Sequence, residues 1–214
     1  MMRKLILLAG LLMLALPAFA VEHFDASLTQ LQHDWARIYY QTPAKAQEEA
    51  MKKLSERAHQ LSAENPAAAE PKIWEAIILA SYAKFKGGLG ALSAAKKSRD
   101  LLLEAEKINP QALNGSVYTS LGSLYYKVPG FPIGFGSNEK ARAYLDKALQ
   151  YNPDGIDPNF FYADLLSEDG EYAKAVEYYK KALSAPARPG REDADAGRRQ
   201  EAEAGLRNAE QHLK

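Results

Sequence analysis

Few residues in this sequence have the types and spacing that catalysis or metal binding requires. The four histidines, His23, His33, His59 and His212, lack a second histidine or cysteine at ligand spacing, and the chain contains no cysteine. No Gly-x-Ser-x-Gly elbow occurs, and carboxylates stand beside lysines and arginines as on solvated helix faces. We therefore predict a non-enzymatic protein without catalytic, metal or cofactor-binding residues.

Two glycine-rich segments are the best candidates for recognition. Residues 127–136 (KVPGFPIGFG) are apolar and aromatic, whereas solvated loops are usually polar, and residues 86–92 (KGGLGAL) include Leu89. Glycine permits close backbone approach, and Phe131, Ile133 and Phe135 offer apolar contacts. These side chains either form an exposed docking surface or pocket, or they fold inward and fill the space between helices.

The amino terminus has the pattern of a cleaved export signal. A basic start (MMRK) precedes an apolar run from Leu5 to Leu16, and small residues end the segment at Ala20. The apolar run is shorter than the ~20 residues that span a bilayer. We predict a signal peptide over residues 1–20, cleavage after Ala20, a periplasmic location, and no membrane span after cleavage.

The elements that would position these residues are helices arranged in repeats. One repeat reads Tyr118-x-x-Leu121-Gly122-x-x-Tyr125, then Ala141-x-x-x-Leu145, Ala148 and Pro153; the next reads Tyr162-Ala163-x-x-Leu166, Gly170-x-Tyr172, Ala175-x-x-x-Tyr179 and Ala182. This order resembles the tetratricopeptide repeat (TPR), most closely over residues 112–186. The resemblance implies helical hairpins whose seam is buried by stacking on neighbouring hairpins.

The predicted fold class is all-α, a TPR-like right-handed solenoid of about four helical hairpins plus a C-terminal capping helix. The first two hairpins are expected at roughly 25–64 and 71–109, and the repeat domain is predicted over residues 21–187. Residues 188–214 are predicted to form a linker and the capping helix, whose apolar stripe is Ala202, Leu206, Ala209 and Leu213.

The spacing within the repeats locates both glycine-rich segments at one edge of the solenoid. Gly122 and Ala141 are 19 residues apart, whereas Ala163 and Ala175 are 12 apart, so the third repeat carries seven extra residues. A surplus of similar size occurs at the equivalent place in the second repeat. Both inserts are expected to be loops that join the first helix of a repeat to the second.

The concave groove formed by the first helices is a second candidate surface. In TPR domains this face holds peptides or partner helices. A helical wheel anchored on Gly122 and Ala163 points Tyr126, Lys127 and Phe160 toward it. Solvated charge is the alternative explanation for the polar residues of this face.

At the level of the whole chain, the sequence is also similar to the T-component of TRAP solute transporters, although it has no cysteine for lipidation. That resemblance implies association with a solute-binding protein and an apolar ligand. The leading hypothesis is a periplasmic protein-binding scaffold. The alternative is an accessory or carrier protein of solute uptake that binds a small apolar molecule at the inserted loops.

Without Arg3 and Lys4 the chain has 25 basic and 27 acidic residues, so we do not expect a nucleic-acid partner.

Overall fold

The computed structural model describes residues 16–214, and the side chains of residues 25–214 except Leu89. Most of the predicted signal peptide therefore lies outside the described residues. The described chain is helical, with the elements α1 (Leu16–Ala36), a π-helical turn (Arg37–Gln41), α2 (Ala44–Glu64), α3 (Ala69–Lys86), α4 (Gly88–Ile108), α5 (Ala112–Lys127), α6 (Asn138–Tyr151), α7 (Ile156–Glu168), α8 (Tyr172–Ser184) and α9 (Glu192–Gln211).

Consecutive helices pair as hairpins, α1 with α2, α3 with α4, α5 with α6 and α7 with α8, and α9 packs on α8. The predicted all-α TPR-like solenoid is confirmed. Three of the second helices end at an Asn-Pro pair, because Asn65, Asn109 and Asn152 leave helical geometry just before proline.

Gly122 marks a close crossing of α5 and α6 in the third hairpin. A Cβ atom at this position would lie 2.5 Å from Cγ of Leu145 and 3.2 Å from the carbonyl oxygen of Ala141. Real Cβ atoms do not approach so closely, so a side chain here would push α6 away from α5. The predicted small-residue contact of the repeat is confirmed at this position.

The two predicted inserts have different structures. In the third repeat, residues 128–137 form a loop between α5 and α6, as expected. In the second repeat the predicted loop is wrong: Gly87 alone separates α3 from α4, and Leu89 lies in α4. Gly87 has a φ of 63°, which reverses the chain in one residue, so the surplus residues lengthen α4 instead.

Candidate functional site

The loop 128–137, called the insert loop below, is held by hydrogen bonds at its base and within its turn. The amide of Gly136 donates to the carbonyl of Pro129 at 3.0 Å, and that of Ser137 donates to Tyr125 in α5 at 2.8 Å. At the tip, the amide of Ile133 donates to Gly130 at 3.1 Å. These bonds give the loop a defined shape despite its three glycines.

The three apolar candidates of the insert loop have different environments. Phe131 is 94% exposed and Ile133 is 64% exposed, so both present their side chains to solvent. Phe135 is half-buried; its ring contacts Tyr125 edge-on at 5.6 Å, and the guanidinium of Arg99 lies 4.5 Å from its centre. Inward packing therefore describes Phe135, while Phe131 and Ile133 are free to contact another molecule.

The insert loop lies against α4 and not against a second loop. A Cβ atom at Gly134 would be 3.4 Å from Cδ1 of Leu92. The two glycine-rich segments are thus neighbours, as predicted, but the composite surface consists of one loop and one helix.

The candidate groove residues tie α5 to α7. Tyr126 is buried and its hydroxyl donates to Asp164 at 2.8 Å; burial, and then the charge of Asp164, raise the pKa of this phenol. The ammonium of Lys127 lies 2.8 Å from Asp164 and 2.5 Å from Glu168. Phe160 is 7% exposed and faces the groove from α7. Tyr126 and Lys127 are therefore engaged within the chain.

A finding that the sequence did not predict is that α9 closes the groove. It packs on α7 and α8 and also reaches α1 and the π-helical turn, nearly the whole chain away in sequence. Asp193 lies 3.1 Å from Nδ1 of His33, and the hydroxyl of Tyr40 donates to Glu201 at 3.2 Å. The C-terminal helix thus joins the last hairpin to the first.

Two glycines of α9 make these contacts close. A Cβ atom at Gly197 would collide with the ring of Tyr40, and one at Gly205 would collide with the ring of Tyr179. Glycine within a helix costs about 1 kcal/mol relative to alanine. Glycine occupies both positions because each leaves space for a tyrosine ring. One ring comes from the first hairpin and the other from the last.

A network of arginines and carboxylates underlies α9. Arg198 is 6% exposed; its guanidinium lies 2.9 Å from Asp157 and 2.7 Å from Glu201, and 4.5 Å from the rings of Phe160 and Phe161. Arg188 reaches Asp157 at 2.7 Å. Burial raises the pKa of Asp157, but the two arginines outweigh it and lower that pKa to about 2.

Closure by α9 converts the groove into a cavity of about 720 Å³. Its wall combines aromatic and aliphatic side chains of the first helices with charged side chains of α9 and its linker. Principal lining residues are Trp35, Tyr39, Trp74, Ile77, Leu124, Phe160, Phe161, Arg191 and Arg198. Exposed Ile133, Lys84 and Lys127 also line it, so the cavity reaches solvent beside the insert loop.

Of the residues proposed from sequence, the structure brings Lys127, Ile133 and Phe160 to the cavity. Phe131, Phe135 and Tyr126 do not line it. Sequence reasoning missed Trp74 and the arginines of the 188–198 segment, which it had assigned to a linker and a cap. The sequence signal for this part of the site was the close spacing of Arg188, Arg191 and Arg198, since arginines beside apolar residues are rarely without a binding partner.

Other kinds of site are not found within residues 16–214. Among residues 25–214, whose side chains the structure describes apart from Leu89, no group of three His, Cys, Asp or Glu side chains is arranged to hold a metal ion. No helix in that range is long and apolar enough to cross a membrane.

A family model and one solved structure support the fold. Residues 133–189 match the family model of the tetratricopeptide repeat. The chain is similar to the crystal structure of a thermophilic TPR protein from Thermus thermophilus, with a TM-score of 0.56 and 19% identity over 90% of this chain and 95% of that one. It also matches PilF from Pseudomonas aeruginosa, with a TM-score of 0.38 and 17% identity over 91% of each chain. Among curated proteins, no sequence matches.

Proposed function

We propose that this chain is an exported, non-enzymatic scaffold that binds a protein partner in the periplasm through the tip of the insert loop. The TPR-like fold favours a role in protein–protein interaction. The observation that carries the specific proposal is the exposure of Phe131, at 94%. A phenylalanine so placed contributes little to folding and leaves a large apolar surface in water.

The shape of the insert loop supports docking because its tip is pre-organised. Hydrogen bonds at Gly130 and Gly136 fix the turn, and Phe135 anchors it on α5. A loop already in its bound shape loses less conformational entropy on association. Aromatic side chains at the centre of an interface supply much of its binding energy, so Phe131 with Ile133 beside it would act as the anchor.

The concave groove is the weaker candidate for a protein partner. In this chain α9 and its linker line that face, so a peptide would have to displace the contacts of Tyr40 and Arg198. The proposed docking surface therefore lies at the edge of the solenoid.

The docking proposal is tested by affinity capture from periplasmic extract with the chain 21–214 as bait. The variants are Phe131→Ser/Ile133→Ser and the control Ile108→Ser, which changes an apolar side chain that is 41% exposed far along α4. We expect one protein at stoichiometric yield with the parent and the control, and its loss with the loop variant. Equal recovery by all three baits would refute docking at the loop.

Export is tested separately by amino-terminal sequencing of the protein from fractionated cells. We expect Val21 as the first residue and recovery in the periplasmic fraction. A chain that starts at Met1 in the membrane fraction would contradict the signal-peptide prediction.

A further inference from the structure

Two buried hydrogen-bond donors at the cavity have no acceptor within the part of the chain that the structure describes. Trp74 is 4% exposed, and among the described residues its Nε1 has no hydrogen-bond partner; the same is true of Nε of Arg191. The guanidinium of Arg191 lies 4.8 Å from the centre of the Trp74 ring, so the two donors are neighbours. By contrast, Nε1 of Trp35 donates to Ser81 at 2.9 Å.

Such donors are exceptions that call for an explanation, because a buried N–H group without a partner has lost its hydrogen bonds to water and gained none in return. Both side chains line the same cavity. An acceptor that occupies the cavity beside Trp74 and Arg191 would satisfy the two groups together.

The charge balance indicates that the acceptor is an anion. Arg188 and Arg198, which line the same cavity as Arg191, each pair with carboxylates within 3 Å. Arg191 forms no ion pair with any described residue, and its contact with Gln32 is 3.4 Å long. One guanidinium without a direct ion pair fits a singly charged group such as a carboxylate, which can accept from two parallel donors. The nearby Asp157 and Asp193 would repel a more highly charged group.

The remainder of the cavity is suited to an apolar body. Trp35 and Tyr39 of the first hairpin, Ile77 of α3, and Phe160 and Phe161 of α7 form its walls. A volume of about 720 Å³ falls within the range of roughly 300 to 1,000 Å³ that is typical of small-molecule sites. Apolar walls with a few convergent polar groups are the usual composition of such sites.

We propose that the cavity closed by α9 binds a small organic monocarboxylate with an apolar body, whose carboxylate accepts hydrogen bonds from Trp74 and Arg191. The solvent-facing end beside Ile133 provides the route of entry. This site differs from the docking surface in its binding groups, Trp74 and Arg191, and in its ligand, although Ile133 borders both, and it requires no partner protein.

The test is isothermal titration calorimetry of the chain 21–214 with decanoate and 4-phenylbutyrate, and with decan-1-ol as the neutral counterpart. Arg191→Gln removes the charge, and Trp74→Phe removes the N–H group but keeps an aromatic ring against Trp35. Arg207→Gln is the control, because Arg207 lies on the same helix with a side chain that is 66% exposed. Thermal melts without ligand check that each variant is folded.

We expect at least one acid to bind at a single site, more tightly than the alcohol. Affinity should fall about tenfold or more in Arg191→Gln and several-fold in Trp74→Phe, and should not change in Arg207→Gln. No saturable binding of either acid at millimolar concentration, equal binding of acid and alcohol, or undiminished binding in folded Arg191→Gln would overturn the inference. A crystal structure in which ordered water satisfies both donors in the presence of the acids would also overturn it.

Discussion

Replacing Arg198 with methionine tests how much the network beneath α9 stabilises the fold. Methionine keeps apolar contact with Phe160 and Phe161 but removes the ion pairs with Asp157 and Glu201. Removing one partner of a buried ion pair can cost 3 to 5 kcal/mol, and a hydrogen bond to a charged group is worth about 1.5 to 3 kcal/mol. Asp157 keeps Arg188, so we expect a loss of about 2 to 3 kcal/mol at pH 7.

The pH dependence gives this prediction a second readout. The pKa of Asp157 is about 2 in the folded protein, against an ordinary value of 3.8. Because the folded-state pKa is lower, its contribution of roughly 2 kcal/mol is complete above about pH 5 and is lost as the pH falls toward 2. Without Arg198 the pKa of Asp157 rises toward its ordinary value, so the difference between parent and variant should shrink over the same range.

The assay is urea unfolding followed by circular dichroism at 222 nm, between pH 7 and pH 2.5. Arg207→Met is the control, since the pair of Arg207 with Glu203 is exposed and 3.9 Å long, and should change stability by less than about 0.5 kcal/mol. A loss at Arg198 no larger than that of the control, or a loss that does not vary with pH, would refute the assigned role of the network.

Four further substitutions test the packing. Gly122→Leu should lower stability by about 1 to 3 kcal/mol because it overfills the crossing with α6, and an unchanged urea midpoint would contradict that. Gly197→Ala should be destabilising although alanine is the better helix former, since its Cβ would strike Tyr40; a raised thermal midpoint would show that α9 has room there. Phe135→Ser should cost about 2 kcal/mol and Phe131→Ser less than about 0.5 kcal/mol, and similar melts of the two would contradict their different burial.

Local signals in the sequence were sufficient for the repeats. The third and fourth hairpins follow from small residues at Gly122 and Ala163 and from prolines that end helices, because these features act within one or two turns. Local spacing also located the insert loop. At residues 86–92, spacing could not distinguish a loop from a longer helix, because the number of surplus residues is the same in both cases. One glycine is enough to join α3 to α4.

The cavity could not be predicted for a different reason. It depends on contacts such as that between His33 and Asp193, which are 160 residues apart, and no periodicity in the sequence relates such distant positions. The apolar stripe on α9 indicated its contact with α8, and Ala202 and Ala209 are indeed buried there. Leu213, assigned to the same stripe, is 53% exposed. The same helix carries Gly197 and Arg198, whose partners Tyr40 and Asp157 are distant in sequence, so both look like ordinary helix-surface residues until those partners are known.

The contact between α9 and the first hairpin also limits how the architecture can change. Open repeat arrays can gain or lose a unit at little cost, because each unit touches only its neighbours. Here an added hairpin would move α9 away from Tyr40 and His33, and a deleted one would force them into collision. The number of repeats is therefore set by geometry. Evolutionary change in length should be confined to segments that do not alter the distance between α1 and α9, such as the insert loop. The first hairpin and α9 should unfold together and not fray one at a time.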